Sequence, residues 1–160
     1  MELFLAQNHP PMTHLPIAVS MLAALAAVLA LFIKRKELVW AWSMLSIVAI
    51  LSVVPTILTG VQAGKGRNYI EHGVFVADKP DNATIQWHQR LGISGALVAA
   101  GFVVLGIRQL RGKHVNPTLA AAVATSLAII WGVTGHLGGE ESWGPDTFPG
   151  FDTSTEQSAP

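Results

Sequence analysis

The sequence predicts an all-α integral membrane protein, an up-and-down bundle of four transmembrane helices with both termini on the outer face. Three observations predict it. Half of the 160 residues are apolar and only 12% are charged, where a soluble domain carries about 25%. Four runs are long enough for the ~20 apolar residues that a helix needs to cross the bilayer. The basic residues between those runs gather in two short connections.

The first run covers about residues 14–33, and in lipid its backbone must pair with itself, which dictates a helix. Pro16 falls in its predicted first turn, where a missing N–H is harmless. No basic residue precedes the run, Lys34-Arg35-Lys36 follows it, and no small-residue cleavage site lies where a signal peptide needs one. It reads as a retained helix. The second run, about 39–63, contains Pro55, which should kink it. The third covers about 86–110. The fourth, about 118–137, is announced by Asn116-Pro117. Trp40 and Trp42 at one end, with Trp87 and Trp143 at the other, suit interfacial aromatic anchors. Residues 1–139 form the membrane domain. The Gly-, Pro-, Asp-, Ser- and Thr-rich stretch 140–160 is an extramembrane tail whose aromatic residues, Trp143, Phe148 and Phe151, offer docking points.

Orientation follows from charge. The connections after the first and third runs hold Lys34, Arg35, Lys36, Arg108, Arg111 and Lys113. The longer chain on the other side holds only Lys65, Arg67, Lys79 and Arg90, with nearly all the acidic residues. The positive-inside rule puts the two basic connections in the cytoplasm. In a bacterial inner membrane both termini and the loop of about residues 64–85 are then periplasmic. Short connections make the first and second helices, and the third and fourth, antiparallel neighbours. Zero net charge gives no footprint for nucleic acid. The lack of cysteine excludes disulfides, thiolate metal sites, covalently attached haem and iron–sulfur clusters.

This topology gathers five of the six histidines at the outer face: His9, His14, His72, His88 and His136. Only His114 is cytoplasmic. His14, His88 and His136 stand at comparable depth on three helices, with His9 close by. Imidazole is the commonest metal ligand, and ionisable residues at a span's edge usually face the bundle interior or water; the bland alternative is a solvated or hydrogen-bonded ring. One turn inward from each of the three lies a small residue: Ala18, Gly92 and Gly132. Gly60 sits at a similar level on the second helix, and the third helix continues the lane through Gly95 and Ala99. Such a lane admits a flat cofactor against the backbone, or serves ordinary close packing of membrane helices. Arg90 suits a propionate or a lipid phosphate, or snorkels to the headgroups.

The opening His9-Pro10-Pro11-Met12-Thr13-His14-Leu15-Pro16-Ile17-Ala18 resembles that of a family of small predicted membrane proteins catalogued as a domain of unknown function. Its members open with His-Pro, three residues, then His-Phe-Pro-Ile-Ala. The chain is also similar to the membrane module of planctomycete-type c cytochrome proteins, where Trp-His opens the third helix and Thr-Gly-His-x-Gly-Gly ends the fourth. Here those are Trp87-His88 and Thr134-Gly135-His136-Leu137-Gly138-Gly139, and Thr59-Gly60 closing the second helix also fits. The resemblance covers roughly residues 8–145. It departs after the paired glycines, where the module carries a further histidine and this chain reads Glu140-Glu141-Ser142-Trp143-Gly144. It implies a redox membrane setting by analogy.

Three functions follow as expectations. The first is a membrane electron-transfer protein or subunit, rather than a stand-alone enzyme. It would bind one or two haem b groups through His14, His88, His136 and His9, with Gly60, Gly92, Gly132 and Arg90 around them. It would exchange electrons with a c-type cytochrome or quinone. A bundle of four helices is a natural haem container. The second is a zinc or copper site on the same histidines. The third is a cofactor-free structural subunit embedded in lipid beside other subunits of a membrane complex.

Overall fold

The computed structural model describes residues 8–66, 69–71, 74–76 and 83–143. Four helices carry the fold: α1 (His9–Ile33), α2 (Lys36–Gly66), α3 (Ala83–Leu110) and α4 (Pro117–Trp143). Each contains a window long and apolar enough to span a membrane, over Pro11–Ile33, Lys36–Val61, Thr84–Leu110 and Pro117–Gly139. The expected all-α bundle is what the chain forms. α1 packs on α2, α2 on α3, α3 on α4, and α4 closes the ring on α1. The connection between α2 and α3, expected to be plain loop, contains a small antiparallel hairpin of β1 (Tyr69–Glu71) and β2 (Val74–Val76) in which Ile70 pairs with Phe75. β1 lies against α4. His72, the tail residues Phe148 and Phe151, and the side chain of Trp143 lie outside the described residues.

The helix ends follow from local chemistry. Asn116 Oδ1 accepts from the backbone N–H of Thr118 at 2.9 Å and of Leu119 at 3.4 Å, and Pro117 takes the first position of α4, where its missing N–H leaves no bond unmade. α3 ends on Gly112 at φ 73, with Gly112 N bonded to Gln109 O and Lys113 N to Arg108 O. These two bonds make a Schellman cap that needs a left-handed residue. Lys34, left-handed at φ 51, closes α1 with a single bond from its N–H to the Ala30 carbonyl at 3.3 Å. α4 continues past the expected Leu137 to Trp143.

α1 begins at His9, five residues earlier than expected, because Pro10 and Pro11 supply its N-terminal turn. Pro16 is therefore an interior proline and not a first-turn one. The lost N–H would strand the Met12 carbonyl. Thr56 on α2 answers this, sharing its one hydroxyl hydrogen between Met12 O and its own helix's Ser52 O, both at 3.0 Å.

The core is lined by small residues, which lets the helices approach closely. Ala23, Ala27, Ala49, Ala99 and Ala124 are buried around Phe102 and Leu127. At the α2–α3 crossing, a Cβ on Gly106 would collide with Ser46 Oγ and lie 2.8 Å from the Ser43 carbonyl. Leu22, Leu25, Phe32, Leu51 and Leu97 are exposed and form part of the lipid-facing surface. Trp42 departs from its expected anchoring role. It is 3% exposed and stacks on Phe102 with centroids 5.8 Å apart, while Trp40 is 60% exposed. Residues two apart on a helix are about 200° apart around it, so only one of the two can face lipid.

Candidate functional site

The end of the bundle at which α1 and α3 begin holds two imidazoles in contact. His9 opens α1 and His88 stands in the second turn of α3, yet their rings meet at right angles with centroids 6.0 Å apart. Each is seated against a glycine of a third or fourth helix. A Cβ on Gly60 of α2 would lie 2.8 Å from His9 Cε1, and one on Gly138 of α4 would lie 2.8 Å from His88 Cε1. Both clearances exist only because those residues are glycine.

Hydrogen bonds fix the protons on both rings. His88 Nδ1 is 2.9 Å from the Thr134 carbonyl oxygen, which can only accept, so Nδ1 carries the hydrogen. His9 Nδ1 is 3.1 Å from Thr59 Oγ1. The Thr59 hydroxyl donates to the carbonyls of Pro55 and Thr56, at 2.9 and 3.0 Å, so its oxygen accepts from His9 Nδ1–H. With hydrogen on Nδ1, the neutral form of either ring carries its lone pair on Nε2. A backbone or hydroxyl partner on the distal nitrogen is the usual way a protein sets a ligating imidazole's tautomer and orientation. Burial, reinforced by repulsion from His88, pushes the His9 pKa from 6.5 to about 4, against an opposing pull from the Thr56 carbonyl. His9 is thus neutral at physiological pH.

The other expected site residues are placed differently. His14 and His136 are exposed, on α1 and α4. His114 is exposed at the opposite end. Arg90 is exposed, with its guanidinium 5.6 Å from the Trp87 ring centroid in a cation–π contact. The small-residue lane does not form one continuous slot. Gly60 abuts His9, Gly92 meets the Thr134 methyl at 4.0 Å, and Gly95 packs on the Trp131 ring. Ala99 is fully buried, whereas Ala18 and Gly132 are exposed, with nothing within 4 Å of a Cβ built on Gly132. Along α3 the lane serves close helix packing.

Sequence reasoning singled out His9 and His88 but ranked His9 last. It missed the roles of Thr56, Thr59, Thr134 and Gly138. The available signal was Thr59-Gly60 at the end of α2, and Thr134 four residues before Gly138 on α4, each of which sets a hydroxyl or carbonyl beside a gap wide enough for a ring.

A model of one protein family matches residues 7–146, and its description is "Predicted membrane protein (DUF2231)". Neither the curated proteins nor the solved structures contain a match.

Proposed function

Because the chain belongs to the DUF2231 family of predicted membrane proteins, and because its outer end carries a tautomer-fixed imidazole pair, we propose that it is a multi-pass membrane electron-transfer protein or subunit binding haem b through His9 and His88. The observation that carries this reading is the His9–His88 contact itself. The two ring centroids are 6.0 Å apart at right angles, close enough for both imidazoles to serve one bound group. The donor set fits the group, since haem iron takes histidine ligands and the partners on Nδ1 leave Nε2 as the donor of either neutral ring. Bound there, haem b would supply reversible one-electron exchange.

The protein's own residues orient and shield. Thr59 and the Thr134 carbonyl hold the ring planes, Gly60 and Gly138 make room for them, and burial keeps His9 uncharged. In this reading Arg90, exposed near the outer end of α3, faces a propionate or a headgroup phosphate. The termini are periplasmic in a bacterial inner membrane, with the site at the outer face. That placement suits a c-type cytochrome or a quinone as exchange partner, inside a larger complex or alone. Among the described residues no three His, Cys, Asp or Glu side chains converge, so a zinc or copper centre of three imidazoles gains no support from this geometry.

The test is a dithionite-reduced minus oxidised spectrum of the protein purified in mild detergent, with haem quantified as its pyridine complex. A b-type alpha band is expected, lost in His9→Ala and His88→Ala and retained in His136→Ala. A featureless spectrum overturns the proposal. A band that survives both His9→Ala and His88→Ala but disappears in His136→Ala moves the ligands away from this pair.

A further inference from the structure

A second feature lies deeper in the bundle. Seven hydroxyl side chains are buried among the described residues. Six of them, on Ser43, Ser46, Ser52, Thr56, Thr59 and Thr134, donate to a carbonyl of their own helix. This is the ordinary way a hydroxyl is satisfied inside a membrane helix. Ser20 is the exception. It is 0% exposed and its Oγ has no hydrogen-bond partner. Trp131 on α4 shares the condition, being 4% exposed with an unpartnered indole Nε1. Buried polar groups are rarely left this way.

The two orphaned groups stand at one depth. A Cβ on Gly135 would meet Ile17 Cδ1 at 2.5 Å, which sets the antiparallel register of α1 and α4. Three residues further along α1, about 4.5 Å deeper, is Ser20. The same step on α4 reaches Gly132, next to Trp131. The Trp131 ring carbon Cε2, bonded to Nε1, would lie 3.1 Å from a Cβ on Gly95 of α3, so the nitrogen-bearing side of the ring lies where α4 packs on its neighbour α3.

The donors define the guest. An indole N–H donates and has no lone pair to offer, so a cation is excluded. The buried polar side chains are all serine or threonine, which leaves an anion without a countercharge. We propose that Ser20 Oγ and Trp131 Nε1 together form an interior site for a neutral acceptor oxygen, belonging either to an ordered water or to the carbonyl of a quinone-type molecule. Buried water typically makes about three hydrogen bonds to groups left unsatisfied in this way, and a quinone carbonyl accepts the same two donors. The site does not depend on haem, and a featureless redox spectrum would leave it standing.

The experiment is proton–nitrogen NMR on the full ¹⁵N-labelled chain in detergent micelles, purified without added quinone. The Trp131 indole signal is assigned by its loss in Trp131→Phe, and the Trp42 indole signal, from the Phe102 stack, reports that the bundle is intact. Cross-relaxation from water to the Trp131 indole proton, lost in Ser20→Ala and kept in Ser20→Thr, supports bound water. No water cross-peak, but a shift of that signal on adding decylubiquinone that Ser20→Ala abolishes, supports the carbonyl. A Trp131 signal with neither property, unmoved by Ser20→Ala while Trp42 is unchanged, overturns the proposal.

Discussion

Thr56 on α2 donates its hydroxyl to the Met12 carbonyl of α1 across 3.0 Å, taking the place of the N–H that Pro16 lacks. A proline inside a helix normally costs about 3 kcal/mol, and in a membrane the freed carbonyl has no water to turn to. Replacing Thr56 with Val should destabilise the bundle by about 1 kcal/mol. In a Pro16→Ala background an N–H is restored at residue 16, so the same change should cost less. The check is a double-mutant cycle on unfolding midpoints in detergent. Equal costs in both backgrounds would show that the two residues are not coupled.

The α2–α3 crossing makes a second prediction. Gly106 approaches Ser43 and Ser46 so closely that a methyl group has no room, while Gly101 has nothing within 4 Å of where its Cβ would stand. The obstacle at Gly106 includes backbone, which cannot rotate away. Gly106→Ala should cost about 1–3 kcal/mol as overpacking and lower the thermal midpoint. Gly101→Ala, freed of glycine's helix penalty of about 1 kcal/mol, should leave it unchanged or raise it.

The contrast between these two glycines shows where the sequence was legible. Hydropathy and the lengths of apolar runs are local properties, so the four spans, the short connections and the Asn116-Pro117 start of α4 could be read directly. Interhelical register is not local. Gly101 and Gly106 look alike in sequence and differ only in what α2 places opposite them. The site divides in the same way. Topology brings five histidines to one face. Choosing His9 over His14 depends on α1 beginning at His9 and on Thr59 and Gly60 of α2 receiving its ring. Trp42 was misplaced for a simpler reason: the 100° helical step separates it from Trp40, and that step was available in the sequence.

The buried, neutral state of His9 gives the protein a pH dependence. Its folded pKa of about 4 lies below the unfolded value of 6.5, so between those values the unfolded chain binds the extra proton. The stabilisation from neutral His9 is therefore complete above about pH 6.5 and is lost as pH falls toward 4. A shift of that size corresponds to at most about 3 kcal/mol, less whatever partial solvation of the ring screens. Unfolding midpoints measured from pH 4 to 8 should fall on the acid side in the wild type. The fall should be markedly flatter in His9→Gln, which has no proton to gain. Equal acid slopes in the two proteins would assign the effect to other groups.

Three glycines should separate in their effects. Gly60 and Gly138 each hold an imidazole where a Cβ would approach within 2.8 Å of Cε1, whereas a Cβ on Gly132 has open space. In Gly60→Ala the His9 ring must turn, which breaks its 3.1 Å bond to Thr59. In Gly138→Ala the His88 ring must leave the Thr134 carbonyl, 2.9 Å away. Each should cost about 1–3 kcal/mol through displaced side chains and a lost hydrogen bond. Under the haem reading, each should also lower bound haem per chain, because a ligand imidazole that loses its orienting partner binds roughly 10–100-fold less well. Gly132→Ala should leave haem content at the wild-type value and stability unchanged or raised. The measurement is haem content and thermal midpoint for the three variants in parallel. A Gly132→Ala defect as large as the other two would return the cofactor to the lane of small residues, and normal haem content in Gly60→Ala and Gly138→Ala would remove it from the His9–His88 pair.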